Sequence, residues 1–250
     1  MQAEDLIRIK ELLPTELGSA EIREEISAEI LRRSIFSAKM ESAKYLSTLR
    51  DVLQLYTSGQ INAAKARELL TARLMSVGYL PHSETGIKDH AGKRRLQLIL
   101  KTNKQMAASV ADIKSQNQDT LAQFPAWHLT RYGRRDEPRE DWPARWHFAG
   151  EAVGWDGAIQ SKMIALKASP IWSALGDGAG GFSDTLGNPY PPFAFNSGLS
   201  WTDVSLEQCH AVGLTVPELP TKPTASLDPT DEDIRETAKR LGFAAEDFAS

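Results

Sequence analysis

The sequence predicts a mainly α fold: a helical N-terminal bundle and a long helix, followed by an α+β, Trp/Pro-rich irregular domain with short strands. Three observations predict it. Apolar residues recur at helical spacing up to about residue 80, with charges on the other faces. One apolar stripe then runs for several turns from Leu96. All six tryptophans fall between Trp127 and Trp201, where closely spaced prolines forbid long helices and deep sheet interiors.

Taken in order, Ile22, Ile26, Ile30 and Leu31 repeat at helical spacing. Tyr45, Leu49, Val52, Leu53 and Tyr56 mark a clearer helix, stopped at Ser58-Gly59, where glycine suits the left-handed C′ position. Another helix is expected over about 61–77 on the face of Leu69, Leu70 and Leu74, closed by Gly78 and Pro81. From about 86 to 122 one long helix is expected, its stripe formed by Leu96, Ile99, Leu100, Ala107 and Val110. Asn103 falls inside that stripe. Its amide is expected to bond to an irregular segment crossing the helix, the alternative being a partly exposed position at the stripe's edge.

The tryptophan-rich stretch opens at Pro125 and should be ordered, because each indole can bury a large apolar area. Short helices are expected near 142–152 and 158–167, and short strands near 127–132 and 193–201. Beyond Val216, Pro217, Pro220, Pro223 and Pro229 favour an extended tether. Thr230-Asp231-Glu232-Asp233 is a capping-box-like start for a short helix using Ile234, Ala238 and Leu241, which docks on its own body or on a partner. Three regions follow: 1–80, 81–216 and 217–250.

Composition narrows the function classes. Hydrophobic and charged fractions of 41% and 25% suit a globular chain. No run approaches the roughly 18 apolar residues of a membrane span, and the first ten residues lack a signal-peptide core. The lone Cys209 excludes an intrachain disulfide and points to a reducing compartment, so a soluble intracellular protein is expected. The net charge of −4 resides in 217–250, where eight acids face four bases. A neutral body offers no whole-molecule affinity for nucleic acid. The local exception is 88–104, with six bases against one acid, Asp89. There Lys93, Arg94, Lys101 and Lys104 are candidate DNA-binding residues on one broad helix sector, widened by Arg95; the alternative is an ordinary solvated face.

Enzyme-like signals are weak. Gly176-Asp-Gly178-Ala-Gly-Gly181 satisfies GxGxxG, but loop chemistry follows it where dinucleotide binding needs a helix. The five histidines form no HExxH pattern, and no metal or cofactor is assigned. One polar cluster carries nuclease or transferase residue types: His128, Arg131, Arg134, Arg135, Asp136, Glu137, Arg139 and His147. Its interleaved charges read more simply as a salt-bridged turn.

Three segments together resemble a known family. Arg95-Leu-Gln-Leu-Ile-Leu-Lys-Thr102-Asn103, followed by Ala107, resembles the helix that opens the Mu-type phage head morphogenesis domain. Pro125-Ala-Trp127, Arg134-Arg-Asp-Glu-Pro138-Arg139 and Gly150 are similar to its middle segment. Asn188-Pro-Tyr190-Pro191-Pro192-Phe193-Ala-Phe195-Asn196-Ser-Gly198 is similar to its closing motif, with Ser197-Gly198-Leu199 where many members have Cys-x-Cys and Trp142 where many have histidine. The resemblance covers about 88–204. It implies a minor head protein of the virion, structural and not enzymatic, assembled in the host cytoplasm. It also implies multiple copies acting at the portal vertex or inner capsid. The implied partners are the portal protein, the major capsid or scaffold protein and, in some members, packaged double-stranded DNA, with no membrane. Thr102, Asn103, Pro191, Pro192, Phe193 and Asn196 are the implied structural motif.

Overall fold

The computed structural model describes residues 2–79, 90–131, 140–155, 162–223, 236–237 and 239–241. The fold is mainly α with a small α+β part, as the periodicity predicts. Two compact units make it up: Met1–Ala108 with Ser226–Ser250, and Ser109–Ala225. The division falls inside the long helix, whereas the sequence regions were cut at 80/81 and 216/217.

The first unit runs α1 (Ala3–Arg8), β1 (Glu11–Leu12), α2 (Ser19–Glu25), α3 (Ala28–Arg33), β2 (Ser34–Ile35), α4 (Ala43–Thr57), α5 (Ala63–Ser76) and the start of α6 (Lys93–Ser115). Strands β1 and β2 pair in parallel. Ile7, Leu13, Met40, Leu46, Leu49, Leu53, Leu70 and Leu74 are fully buried in it. Caps set the helix starts: the Ser42 side chain accepts from the Tyr45 amide and Asn62 from the Lys65 amide. Gly59 and Gly78 take positive φ just past α4 and α5, as expected. The isoleucine repeat does not make one helix. Ile26 is extended at φ −117°, ψ 126°, and Ser27 caps a new start, so α2 and α3 are separate. Ile22 and Ile26 are still buried together, because the break keeps both on the inner side.

The tail returns to this unit. Thr237 is buried, Leu241 packs on the cluster of Leu13, Ile22 and Ile26, and Arg240 donates to the Glu25 carbonyl at 3.0 Å. Of the two docking options, the described residues take the chain's own body. Ile234 and Ala238 lie outside the described residues.

The second unit contains the end of α6, then α7 (Gln118–Gln123), β3 (Ala126–Arg131), α8 (Trp142–Ala152), β4 (Ile164–Leu166), α9 (Ile171–Asp177), β5 (Leu199–Val204) and α10 (Leu206–Ala211). The strands form an antiparallel sheet in the order β4-β3-β5, with Trp127 opposite Ala165 on one side and Asp203 on the other. Strand β3 and helix α8 fall where the sequence predicts them. Three expectations are corrected. The helix over 86–122 ends at Ser115, because Asn117 caps a separate α7 through the Thr120 amide. Of the expected helix at 158–167, residues 158–161 lie outside the described residues, and the rest holds a strand at Ile164–Leu166, where two buried residues pair with β3. The closing strand begins at Leu199, not 193, because 193–198 is consumed by turns.

Candidate functional site

The basic sector of α6 lies in the first unit. Lys93, Arg94 and Lys101 are exposed on it, while Leu96 and Leu100 of the same helix are buried. Two bases are committed inward. Arg95 donates to the Ser37 hydroxyl and the Ala38 carbonyl. Lys104 donates to the Tyr56 carbonyl at 3.1 Å and lies 4.5 Å from that tyrosine's ring centroid. The reason is local: carbonyls in the last turn of α4 have no partner within the helix, and a lysine ammonium satisfies one of them. The sector presented to solvent is therefore Lys93, Arg94 and Lys101. Lys88 and Asp89 lie outside the described residues.

Thr102 is buried beside this sector, and Asn103 is half-buried. The expectation that Asn103 ties the aromatic-proline segment is corrected: its amide donates to Ile99, four residues back in its own helix, at 3.0 Å. The amide that holds the proline segment is Asn188. It is fully buried, and its Nδ2 donates to the Pro192 carbonyl at 3.0 Å, closing the Pro-Tyr-Pro-Pro turn on itself. Pro191 and Pro192, joined by a cis peptide bond, are buried with Tyr190 and Phe193. Asn196 is exposed in the left-handed region at φ 52°, which asparagine tolerates, and it turns the chain into β5.

Phe193 enters a tryptophan core. Trp127 of β3 and Trp201 of β5 stack with centroids 3.7 Å apart, Trp172 meets both edge-on, and Phe193 lies parallel to Trp172. A charge sits within this apolar assembly. The Lys167 side chain is 0% exposed, with Nζ 2.7 Å from Asp203 Oδ1 and 2.8 Å from Gln116 Oε1, and 5.3 Å from the Trp127 ring centroid. Asp112 completes the group: Oδ2 accepts from Trp201 Nε1 at 3.0 Å and Oδ1 from Gln116 Nε2 at 3.2 Å. Burial pushes the Asp112 carboxyl up, the Asp203 charge adds to it, and Lys167 opposes both. A similar clamp holds α8: buried Arg145 bridges Asp141 and Asp184 at 2.7 and 2.8 Å, beside the Trp142 and Phe182 rings. Lys167, Asp203, Gln116 and Asp112 are engaged with one another and Arg145 with two carboxylates, while Asp141 Oδ1 and the Trp127 and Trp142 indole nitrogens are buried without a hydrogen-bond partner among the described residues.

The polar cluster proposed for catalysis is only partly within view. Arg134, Arg135, Asp136, Glu137 and Arg139 lie outside the described residues. His128 is half-buried on β3, and burial, then Lys162, lower its pKa. His147 is exposed on α8 and pairs with Glu151 at 3.3 Å. Among the described residues, no group of three His, Cys, Asp or Glu side chains is placed to hold a metal. Gly176 lies in the last turn of α9 and Gly178, Gly180 and Gly181 take positive φ after the helix, so these glycines close a helix where a dinucleotide loop would precede one.

Sequence reasoning missed Lys167, Gln116, Asp112, Asp203 and Arg145, and quoted Asn188 within the closing motif without assigning it the tie. Only Asn188 carried a local signal, as a turn-forming residue before a proline. No protein-family model, curated protein or solved structure matches the chain.

Proposed function

We propose that this chain is a minor phage head protein, a structural or assembly component acting at the portal vertex or inner capsid. One observation carries the reading. The segment that resembles the closing motif of the Mu-type head morphogenesis family, around Asn188–Asn196, is the segment that seals the tryptophan core, through Tyr190, Phe193 and the Asn188 tie. A motif spent on sealing a buried aromatic interior fits a protein that holds others in place. The exposed Lys93, Arg94 and Lys101 add a face suited to phosphate contact, weak in one copy and strong in many.

Co-expression with a portal protein and a major capsid protein of the same phage tests the reading. The chain should sediment with portal rings or procapsids. Sedimentation as a free monomer beside intact rings and procapsids would overturn it. Replacing Lys93, Arg94 and Lys101 with Gln should lower DNA affinity at about 50 mM salt, flatten its salt dependence and leave the portal contact intact. Loss of the portal with DNA affinity retained would make the face a protein interface.

A further inference from the structure

We propose that the first unit holds a binding site for a phosphate group, formed where Lys10 and Arg33 meet at the head of its two-stranded sheet. The strands pair in parallel, Glu11 opposite Ser34 and Leu12 opposite Ile35, so the residues just before them, Lys10 and Arg33, come side by side. Side chains alternate along an extended chain, so Lys10 shares a face with Leu12, and both are buried. Glu11 falls on the other face. Helix α4 packs on both strands, and its Arg50 fixes residue 10 by donating from Nη1 to the Lys10 carbonyl at 3.3 Å. Arg33 is only half-buried, so a ligand from solution reaches the pair from that side.

The charge on Lys10 is uncompensated. The residue is 7% exposed, and among the described residues none accepts a hydrogen bond from its ammonium or forms an ion pair with it. Two acids close by in the chain are used elsewhere: Asp5 pairs with Arg8 at 3.4 Å, and Glu29 with Arg32 at 3.3 Å. Burial first, and then the Arg33 charge, lower the amine to about 8, and no described carboxylate raises it. At pH 7 such an amine still keeps its proton on about nine molecules in ten. A buried cation beside a second cation is unfavourable, and an anion between them reverses the sign of the interaction. Two adjacent positive charges favour a dianion over a single carboxylate, and a phosphomonoester carries about −1.5 to −2 at pH 7. An ammonium with three donors beside a planar guanidinium suits phosphate oxygens, which take short charge-assisted hydrogen bonds from both. From Arg33 the site needs only its charge, whatever else that side chain bonds.

Two measurements on the full chain test this. In the first, inorganic phosphate is titrated calorimetrically at about pH 7 and constant ionic strength, so that general screening does not vary. Wild type should bind one phosphate with a Kd at or below about 1 mM. Lys10→Met keeps the buried stem and removes the charge, and should weaken binding at least about tenfold. Replacing Lys93, Arg94 and Lys101 with Gln should leave the Kd unchanged, which separates this site from the exposed face of α6. Acetate at the same ionic strength should bind at least about tenfold more weakly than phosphate. The second measurement needs no variant to fold: the NMR signal of the Lys10 ε-carbon in wild type is followed against pH, with and without saturating phosphate. Phosphate should move the amine from about 8 up toward the ordinary 10.5. The site is overturned by the absence of a one-to-one isotherm, by binding retained in a folded Lys10→Met, or by binding lost in the α6 variant. Acetate binding as tight as phosphate, or an amine that stays at about 8, overturns it equally.

Discussion

Deleting Asp203 should cost the second unit more than deleting Lys167, although the two make one ion pair. The asymmetry follows from exposure: the Lys167 side chain is 0% exposed and that of Asp203 42%. In Asp203→Ala the ammonium stays buried, with Gln116 Oε1 and the Trp127 face as remaining partners. An uncompensated buried charge costs about 3–5 kcal/mol. Asp112 softens the loss, because removing the neighbouring carboxylate lets it ionise more readily while Lys167 still attracts it. The expected cost is therefore about 3 kcal/mol, the low end of the range. In Lys167→Met the stem is replaced by one of similar volume and Asp203 returns to water. What remains is the unpaired Gln116 acceptor, about 1–2 kcal/mol.

The double variant Lys167→Met/Asp203→Ala should lie close to the methionine variant alone, a coupling of about 2–3 kcal/mol. Urea unfolding followed by tryptophan fluorescence reads this directly, since all six tryptophans belong to the second unit. A methionine variant as damaged as Asp203→Ala, or a strictly additive double variant, would refute the reasoning. Lys167 would then be held by packing and not by its charge partner.

Three further outcomes are expected. Because the folded Asp112 carboxyl is raised above its ordinary 3.8, the folded state holds its proton longer, and stability attributable to it falls as pH rises from about 3.8 to the raised value; an NMR titration placing this carboxyl below 3.8 would contradict that. Lys10 is buried and its amine is lowered from 10.5 to about 8 by burial and by Arg33, so the unfolded chain holds the proton over that window and stability rises by about 3 kcal/mol between pH 8 and 10.5; Lys10→Met should abolish the rise in urea midpoints. Gly176→Ala would bring a Cβ to 1.9 Å from the Asn188 carbonyl oxygen, so α9 and the proline turn must separate; a loss of at least about 1–3 kcal/mol is expected, and an unchanged thermal midpoint would show that the contact yields freely.

How much of this was legible depended on how local each determinant is. The faces of α4, α5 and α6 could be read, because Leu49, Leu70 and Leu100 each sit in a repeat that one helix completes by itself. The breaks at Ile26 and at Asn117 were overlooked for a related reason: the apolar rhythm continues across them, while Ser27 and Asn117 act through one side-chain bond to a backbone amide. Strand β4 was misassigned because three residues carry too short a pattern, and only pairing with β3 decides them.

The polar core was illegible for a stronger reason. Asp112 near the end of α6 and Gln116 just past it are four apart and look like an ordinary solvated pair. Lys167 follows a short apolar run and reads as a charge at its edge. Gln116 reaches Lys167 across 51 residues, and Asp112 reaches Trp201 across 89. Contacts at such separation exist only once the sheet order β4-β3-β5 sets Lys167, just past β4, and Asp203 of β5 on either side of β3. The same logic explains the choice of Asn103 over Asn188. An amide within an apolar stripe stands out in sequence, yet a helix can satisfy it from its own carbonyl four residues back. An amide in a turn looks unremarkable, yet a turn buried against tryptophans has no water and no helix to satisfy Pro192, so the side chain must. Burial of irregular backbone, more than an odd residue in a regular pattern, marks where a buried amide is indispensable.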